Sequence, residues 1–194
     1  MWSLAARLDR SLPRGDIPPS ELFERAASRA MSRAPEREPS RAGADAPDGY
    51  LVALPKGQLP TPIGRALLLQ VGDDRFVPVF VGSSEALAYQ HQLEGTRPKR
   101  PLTHDLLVRV LELFGGEVAQ VRIERLEGDV YVSTVVLRIR NDQREIDARA
   151  SDAIVLAMGA GVPIYVSPQV VRRAARGITD VAHSSPNSDP SQSL

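Results

Sequence analysis

Residues 146–157 constrain this chain more than any other stretch. Ile146, Asp147, Ala148 and Arg149 read as the polar end of a strand, and Ser151 to Ala157 as a helix that is apolar from Ala153 onward. Two acids and one arginine are gathered where the strand runs into the helix, at a rigid backbone corner of the kind on which sites are built. A second charged junction lies upstream, at Arg97, Pro98, Lys99, Arg100, Pro101, Leu102, Thr103, His104 and Asp105. Together the two suggest a site for an anionic ligand.

The rest of the chain supplies a sheet for that corner. The order of elements predicts an α+β fold, a mixed and largely antiparallel sheet with helices packed on it in a single domain. Residues 65–71 and 75–81 read as a hairpin turning at Gly72, Asp73 and Asp74. The nearly continuous apolar run from Phe76 to Val81 suits a buried strand, but Pro78 argues for an edge or a bulge. Residues 118–126 alternate, with Val121 and Ile123 facing one way and Gln120, Arg122 and Glu124 the other. Strands at 130–139, 144–149 and 163–166 follow, the helix at 151–160 ends on Gly161, and a last helix is expected at 168–176. A short strand is expected at 50–54, and the Pro- and Gly-containing residues 56–64 read as a loop.

Three further helices are expected. One covers 83–93, capped by Ser83 or Ser84. The clearest covers 103–114, with Thr103 as N-cap, Asp105 in the first turn, and Leu106, Leu107, Val110, Leu111 and Phe114 as its buried stripe. The third lies in the N-terminal arm, at 20–31, where Leu22, Phe23, Ala26, Ala27, Ala30 and Met31 make an apolar stripe at helical spacing. The organisation that follows is an arm at 1–48, a folded unit at 49–176, and a polar tail at 177–194 expected to be disordered.

Composition narrows the function. Of 194 residues, 24 are basic and 24 acidic, so any affinity for nucleic acid must come from a local patch. There is no cysteine, which excludes disulfides, thiolate metal sites and thiol catalysis and fits a cytoplasmic protein. No apolar run is long enough for a signal peptide or a membrane span. No Gly-rich phosphate loop, nucleophile elbow or zinc-helix motif is present.

Four pieces of the chain resemble the bifunctional nuclease family, a small bacterial domain also found in plants. They are Val77 to Gly82 with Glu85 and Ala86; Arg100 to Leu106; Asp147 to Ile154; and Gly161 to Val166. They stand in the family's order and spacing. One departure is Ala150, where the family usually has a proline that fixes φ at the helix entry. The arm 1–48 lies outside the resemblance. The family name implies cleavage of RNA and DNA.

On that reading the charged residues take roles. Asp147 and Asp152, with Glu85, are candidate ligands of magnesium or manganese, because metal-assisted phosphodiester hydrolysis needs clustered carboxylates. Asp147 and Asp152 are also candidate catalytic residues, with His104 as the proton-transfer group. Arg97, Arg100 and Arg149 are candidate phosphate ligands, with Lys99 beside them. Each has a plainer reading: a first-turn acid favoured by the helix dipole for Glu85 and Asp152, an ordinary ion pair for Asp147, a good helix start for His104, a solvated basic loop for Arg97 and Lys99. Two functions follow. One is a nuclease acting on RNA and DNA without strong sequence preference. The other is a non-catalytic anion-binding or oligomeric interaction module. A homodimer is expected in either case, because the sheet has edges to cover, and residues 20–31 are a candidate surface for a protein partner.

Overall fold

The computed structural model describes residues 46–61, 64–177 and 180. The expected helix at 20–31 and most of the tail lie outside the described residues. Within them the chain runs β1 (Leu51–Thr61), β2 (Gly64–Val71), β3 (Arg75–Val81), α1 (Ser83–Glu94), α2 (Thr103–Leu113), β4 (Gly116–Glu127), β5 (Val130–Ile139), β6 (Asp142–Arg149), α3 (Ala150–Ala160), β7 (Ile164–Val166) and α4 (Pro168–Ala174). The strands form one mixed seven-stranded sheet in the order β3-β2-β1-β7-β4-β5-β6. Every pairing is antiparallel except β4 with β7. This is the α+β fold expected from the order of elements.

Alternation builds the core. Val121 and Ile123 on β4, Val135 and Leu137 on β5, and Ile164 and Val166 on β7 face the helices. Against them lies α3, in which Ala153, Ile154, Val155, Leu156 and Ala157 are all buried. Such a helix is apolar on every side because it is covered by the sheet and by both α1 and α2. Burying Ile154 alone stabilises the fold by about 2 kcal/mol. Gly161 stops α3 with φ +68°, a conformation that a side chain would oppose.

The sheet is open but strongly coiled. Tyr131 on β5 donates its hydroxyl to the Pro78 carbonyl of β3 at 2.9 Å, although four strands lie between them. Phe76 exchanges two backbone hydrogen bonds with Arg176, at 2.8 and 2.9 Å, so the segment after α4 closes part of the β3 edge. Pro78 sits on that edge strand, where its missing N–H breaks no ladder.

Three expectations need correction. Residues 56–61 are strand, not loop. The three-residue β7 covers only Leu51, Val52 and Ala53 of β1, so beyond Ala53 β1 has one open side, and Pro55 and Pro60 are tolerated there beside a bulge between Pro55 and Gly57. The N-caps fall one or two residues earlier than expected: Gly82, Leu102 and Arg149 rather than Ser83 or Ser84, Thr103 and Ser151. Asp105 still secures the start of α2, accepting the Leu102 N–H at 2.9 Å as the acid of a capping box does. The third concerns the apolar stripe of α2, which is not buried. Leu106 is 56% exposed, Leu107 52%, Val110 40% and Phe114 79%. The helix is held to the domain through Val108 and Leu111, which pack on the core from its other side.

Candidate functional site

Three helices begin at one place. Glu85 is the third residue of α1, His104 the second of α2 and Asp152 the third of α3. Unpaired backbone N–H groups make each helix start electropositive, so an acid in the first turn is favoured there by roughly 0.3–1 kcal/mol. Arg149, the N-cap of α3, joins them. Its Nε donates to Asp152 Oδ2 at 2.7 Å, and its Nη2 donates to Asp152 Oδ1 at 3.2 Å and to Glu85 Oε1 at 2.9 Å. His104 Nε2 lies 3.0 Å from Asp152 Oδ1. Ser84 Oγ donates to Glu85 Oε2 at 2.7 Å. The result is a continuous chain of polar contacts from Ser84 through Glu85, Arg149 and Asp152 to His104.

The electrostatics follow from these contacts. Burial works to raise the Asp152 carboxyl, but hydrogen bonds from Arg149 and His104 outweigh it and hold the group below its ordinary value. Glu85 is lowered too, first by the Ser84 hydroxyl and its own backbone N–H and then, against some burial, by Arg149. Asp152 is therefore an ionised acceptor. His104 Nε2 therefore carries the hydrogen of their contact, which in the neutral tautomer leaves Nδ1 as the accepting nitrogen.

His104 forms part of the wall of two hollows. One, of about 460 Å³, is polar and lies between α1, the loop at 95–102, α2 and α3. It is lined by Arg97, Lys99, Arg109 and His91. Arg97, Lys99 and Arg109 have no carboxylate partner among the described residues, whereas His91 is bound to the Thr96 hydroxyl at 2.8 Å. Gln92 donates to Asp105 Oδ1 at 3.0 Å and ties α1 to the start of α2. The other hollow, of about 490 Å³, is apolar and lies between α2 and the strands β5 and β6.

The expected residues are thus partly united. Glu85, His104, Arg149 and Asp152 come together, and Arg97 with Lys99 faces the polar hollow beside them. Arg100 is exposed on the same loop but outside that lining. Asp147 makes no hydrogen bond or ion pair with Asp152 among the described residues, although both border the apolar hollow. It is opposite Thr134 in the β5–β6 ladder, and alternation places its side chain on the sheet face away from the helices. That face also carries Glu145, paired to Arg122 at 2.7 Å, and Arg125, whose charge Asp147 helps to hold. The carboxylates proposed for a divalent metal, Glu85, Asp147 and Asp152, do not fit one as placed. Glu85 and Asp152 already share a guanidinium, and the described residues include no group of three or more His, Cys, Asp or Glu disposed to hold a metal ion. Arg149, whose side chain is 70% exposed, is paired with two carboxylates. Sequence reasoning missed Arg109, whose signal was its place four residues after Asp105 on the same helical face.

A family model described as bifunctional nuclease domain matches residues 66–178. An uncharacterised protein of Mycobacterium tuberculosis (strain ATCC 25618 / H37Rv) is 37% identical over 115 residues, 59% of this chain and 68% of that protein. Bifunctional nuclease 1 of Oryza sativa subsp. japonica is 30% identical over 107 residues, 54% of this chain and 32% of that protein. The protein named bifunctional nuclease from Oryza minuta matches to the same extent. No helix among the described residues is long and apolar enough to cross a membrane.

Proposed function

Since the chain belongs to the bifunctional nuclease domain family, we propose that it hydrolyses phosphodiester bonds of RNA and DNA at the polar hollow beside His104. The observation that carries this reading is the placement of His104. One ring nitrogen is held by an ionised carboxylate, and the ring borders a hollow whose cations are unpaired. Arg97, Lys99 and Arg109 would hold the backbone phosphate, and arginine forks are suited to it. Because the lining contains no Phe, Tyr or Trp, binding would be mainly electrostatic and indifferent to sequence.

In this scheme His104 Nδ1 takes the proton of the attacking water as its oxygen bonds to phosphorus, the P–O bond to the departing sugar oxygen breaks and that oxygen gains a proton from solvent, and Asp152 orients the ring and stabilises the imidazolium that forms. Positioned general bases of this kind are worth about 10²–10⁴-fold in rate. Arg149 and Glu85 hold Asp152 in place. No step is assigned to a divalent ion. The homodimer anticipated from exposed sheet edges would use β6, an edge strand of the sheet.

The experiment is cleavage of fluorescent single-stranded RNA and DNA by the purified chain, in magnesium, manganese and EDTA, beside His104→Ala and Asp147→Ala variants of matched thermal stability. Cleavage lost in His104→Ala and retained in Asp147→Ala supports this centre. Cleavage lost only in Asp147→Ala moves the centre across the sheet. Absence of cleavage by the parent chain under every condition favours the non-catalytic anion-binding module.

A further inference from the structure

The most amphipathic helix of the described domain has no buried residue. Leu106, Leu107, Val110, Leu113 and Phe114 of α2 are exposed, and Ile146 on the neighbouring β6 is 50% exposed. Between them runs the apolar hollow of about 490 Å³, walled by Leu107 and Leu111 and floored by Val135, Leu137 and Ile146. Contiguous apolar surface on this scale, beside an unfilled groove, is the geometry in which an amphipathic helix is received.

We infer that residues 20–31 of the same chain occupy this face. Leu22, Phe23, Ala26, Ala27, Ala30 and Met31 recur at helical spacing, and the intervening Glu24, Arg25, Ser28 and Arg29 form the polar side. A helix over these residues is about 18 Å long, and α2 is about 16 Å, so the two stripes match in length. The alanines permit close approach of the axes, and Leu22, Phe23 and Met31 supply bulk for the groove. Residues 32–45 connect the segment to the described domain and span up to about 50 Å when extended. A domain of this size has a radius of gyration near ~14 Å, so the tether reaches α2 from any starting point. The tether also favours this occupant over a second copy. It holds the segment at an effective concentration of roughly millimolar, so a contact too weak to dimerise the protein is still populated. The inference does not depend on the chemistry assigned to His104, although a docked segment would cover the groove that His104, Arg149 and Asp152 border at one end.

The chain has no cysteine, so paired cysteines report the contact cleanly. Ala26→Cys with Val110→Cys joins the middle of each stripe, and either direction of docking brings the two together. Both are changes at positions whose loss leaves the described core intact. Ser28→Cys with Val110→Cys is the control from the polar side. In the full-length protein under mild oxidation, the stripe pair should form an intramolecular disulfide about tenfold faster than the control, at a rate independent of protein concentration. Hydrogen exchange in α2 should quicken in the full-length Leu22→Glu/Phe23→Glu variant. Equal rates for the two cysteine pairs, or unchanged exchange in α2, overturn the inference. So do covalent dimers as the main product, which would assign the face to a second copy.

Discussion

Replacing Asp152 by Asn tests the reasoning at its narrowest point, because it removes one charge and no volume. Asp152 Oδ1 accepts from His104 and Arg149, and Oδ2 accepts from Arg149. An asparagine has one oxygen and one NH₂. The guanidinium donates to both positions and will retain the oxygen, so the NH₂ turns toward His104. The ring must then accept at Nε2 and carry its hydrogen on Nδ1, which is the tautomer unable to take a proton there. The expected loss in kcat/KM is about 10²–10⁴-fold, the full worth of a positioned general base. The structural cost is small by comparison. It comprises a first-turn dipole interaction of roughly 0.3–1 kcal/mol and a weakened hydrogen bond of about 1 kcal/mol. That corresponds to a fall in Tm of about 5 °C, well short of unfolding. The assay is cleavage of a fluorescent oligonucleotide across pH 5–9 with a parallel thermal melt. A folded Asp152→Asn protein that cleaves at the parent rate, with the parent pH profile, would refute the role given to the pair.

Further outcomes follow from the same structure. Asp152 and Glu85 are both held below the ordinary carboxylate range, so their contribution to stability is complete above the unfolded value of about 4 and lost as pH falls through the lower folded values. Thermal melts should therefore be flat from about pH 7 to 5 and decline below about pH 4, and the Glu85→Gln/Asp152→Asn protein should decline less. Arg97→Ala/Lys99→Ala should weaken binding of single-stranded RNA and DNA alike. It should also reduce the slope of log K against log salt by about 1.4, close to 0.7 per phosphate contact removed. An unchanged slope in fluorescence anisotropy would place the phosphates elsewhere. Tyr131→Phe leaves the Pro78 carbonyl without its 2.9 Å partner and should cost about 1–2 kcal/mol in urea unfolding.

Where the sequence was legible, the deciding interaction was local. The alternation of Val121 and Ile123 against Arg122, the turn at Gly72, the stop at Gly161 and the edge position of Pro78 each depend on a few neighbouring residues, and each stands in the structure as expected. The misreadings share a non-local cause. Pro55 and Pro60 lie in β1 because β7 is too short to need their N–H groups, and nothing near residue 55 reveals the length of a strand at residue 164. The periodicity of α2 establishes that the helix has an apolar face but not what covers it. Asp147 is different, because its position was readable: it has the parity of Glu145, while Ile146 and Ala148 have the parity that faces the helices. Five residues of separation suggested convergence with Asp152, whereas strand parity groups Asp147 with Glu145.

That parity also bears on how a chain with no net charge can hold an anionic substrate. Around Arg149 carboxylates outnumber the guanidinium two to one, and the starts of three helices offset the excess negative charge. A phosphate placed there would have to displace Glu85 or Asp152 and would compete with the contact that orients His104. On the far sheet face Glu145 is matched by Arg122, while Arg125 is paired with Glu127 and feels Asp147 only at longer range. Arg97, Lys99 and Arg109, which line the polar hollow together with His104, have no carboxylate partner among the described residues. On the proposed reading Arg149, one of the three arginines expected from the sequence to bind phosphate, would organise the base instead, and the basic loop would receive the phosphate. Reversing Arg109 to Glu should then raise KM with little change in kcat, while Arg149→Gln should lower kcat with little change in KM. The opposite pattern in steady-state kinetics would return phosphate binding to Arg149.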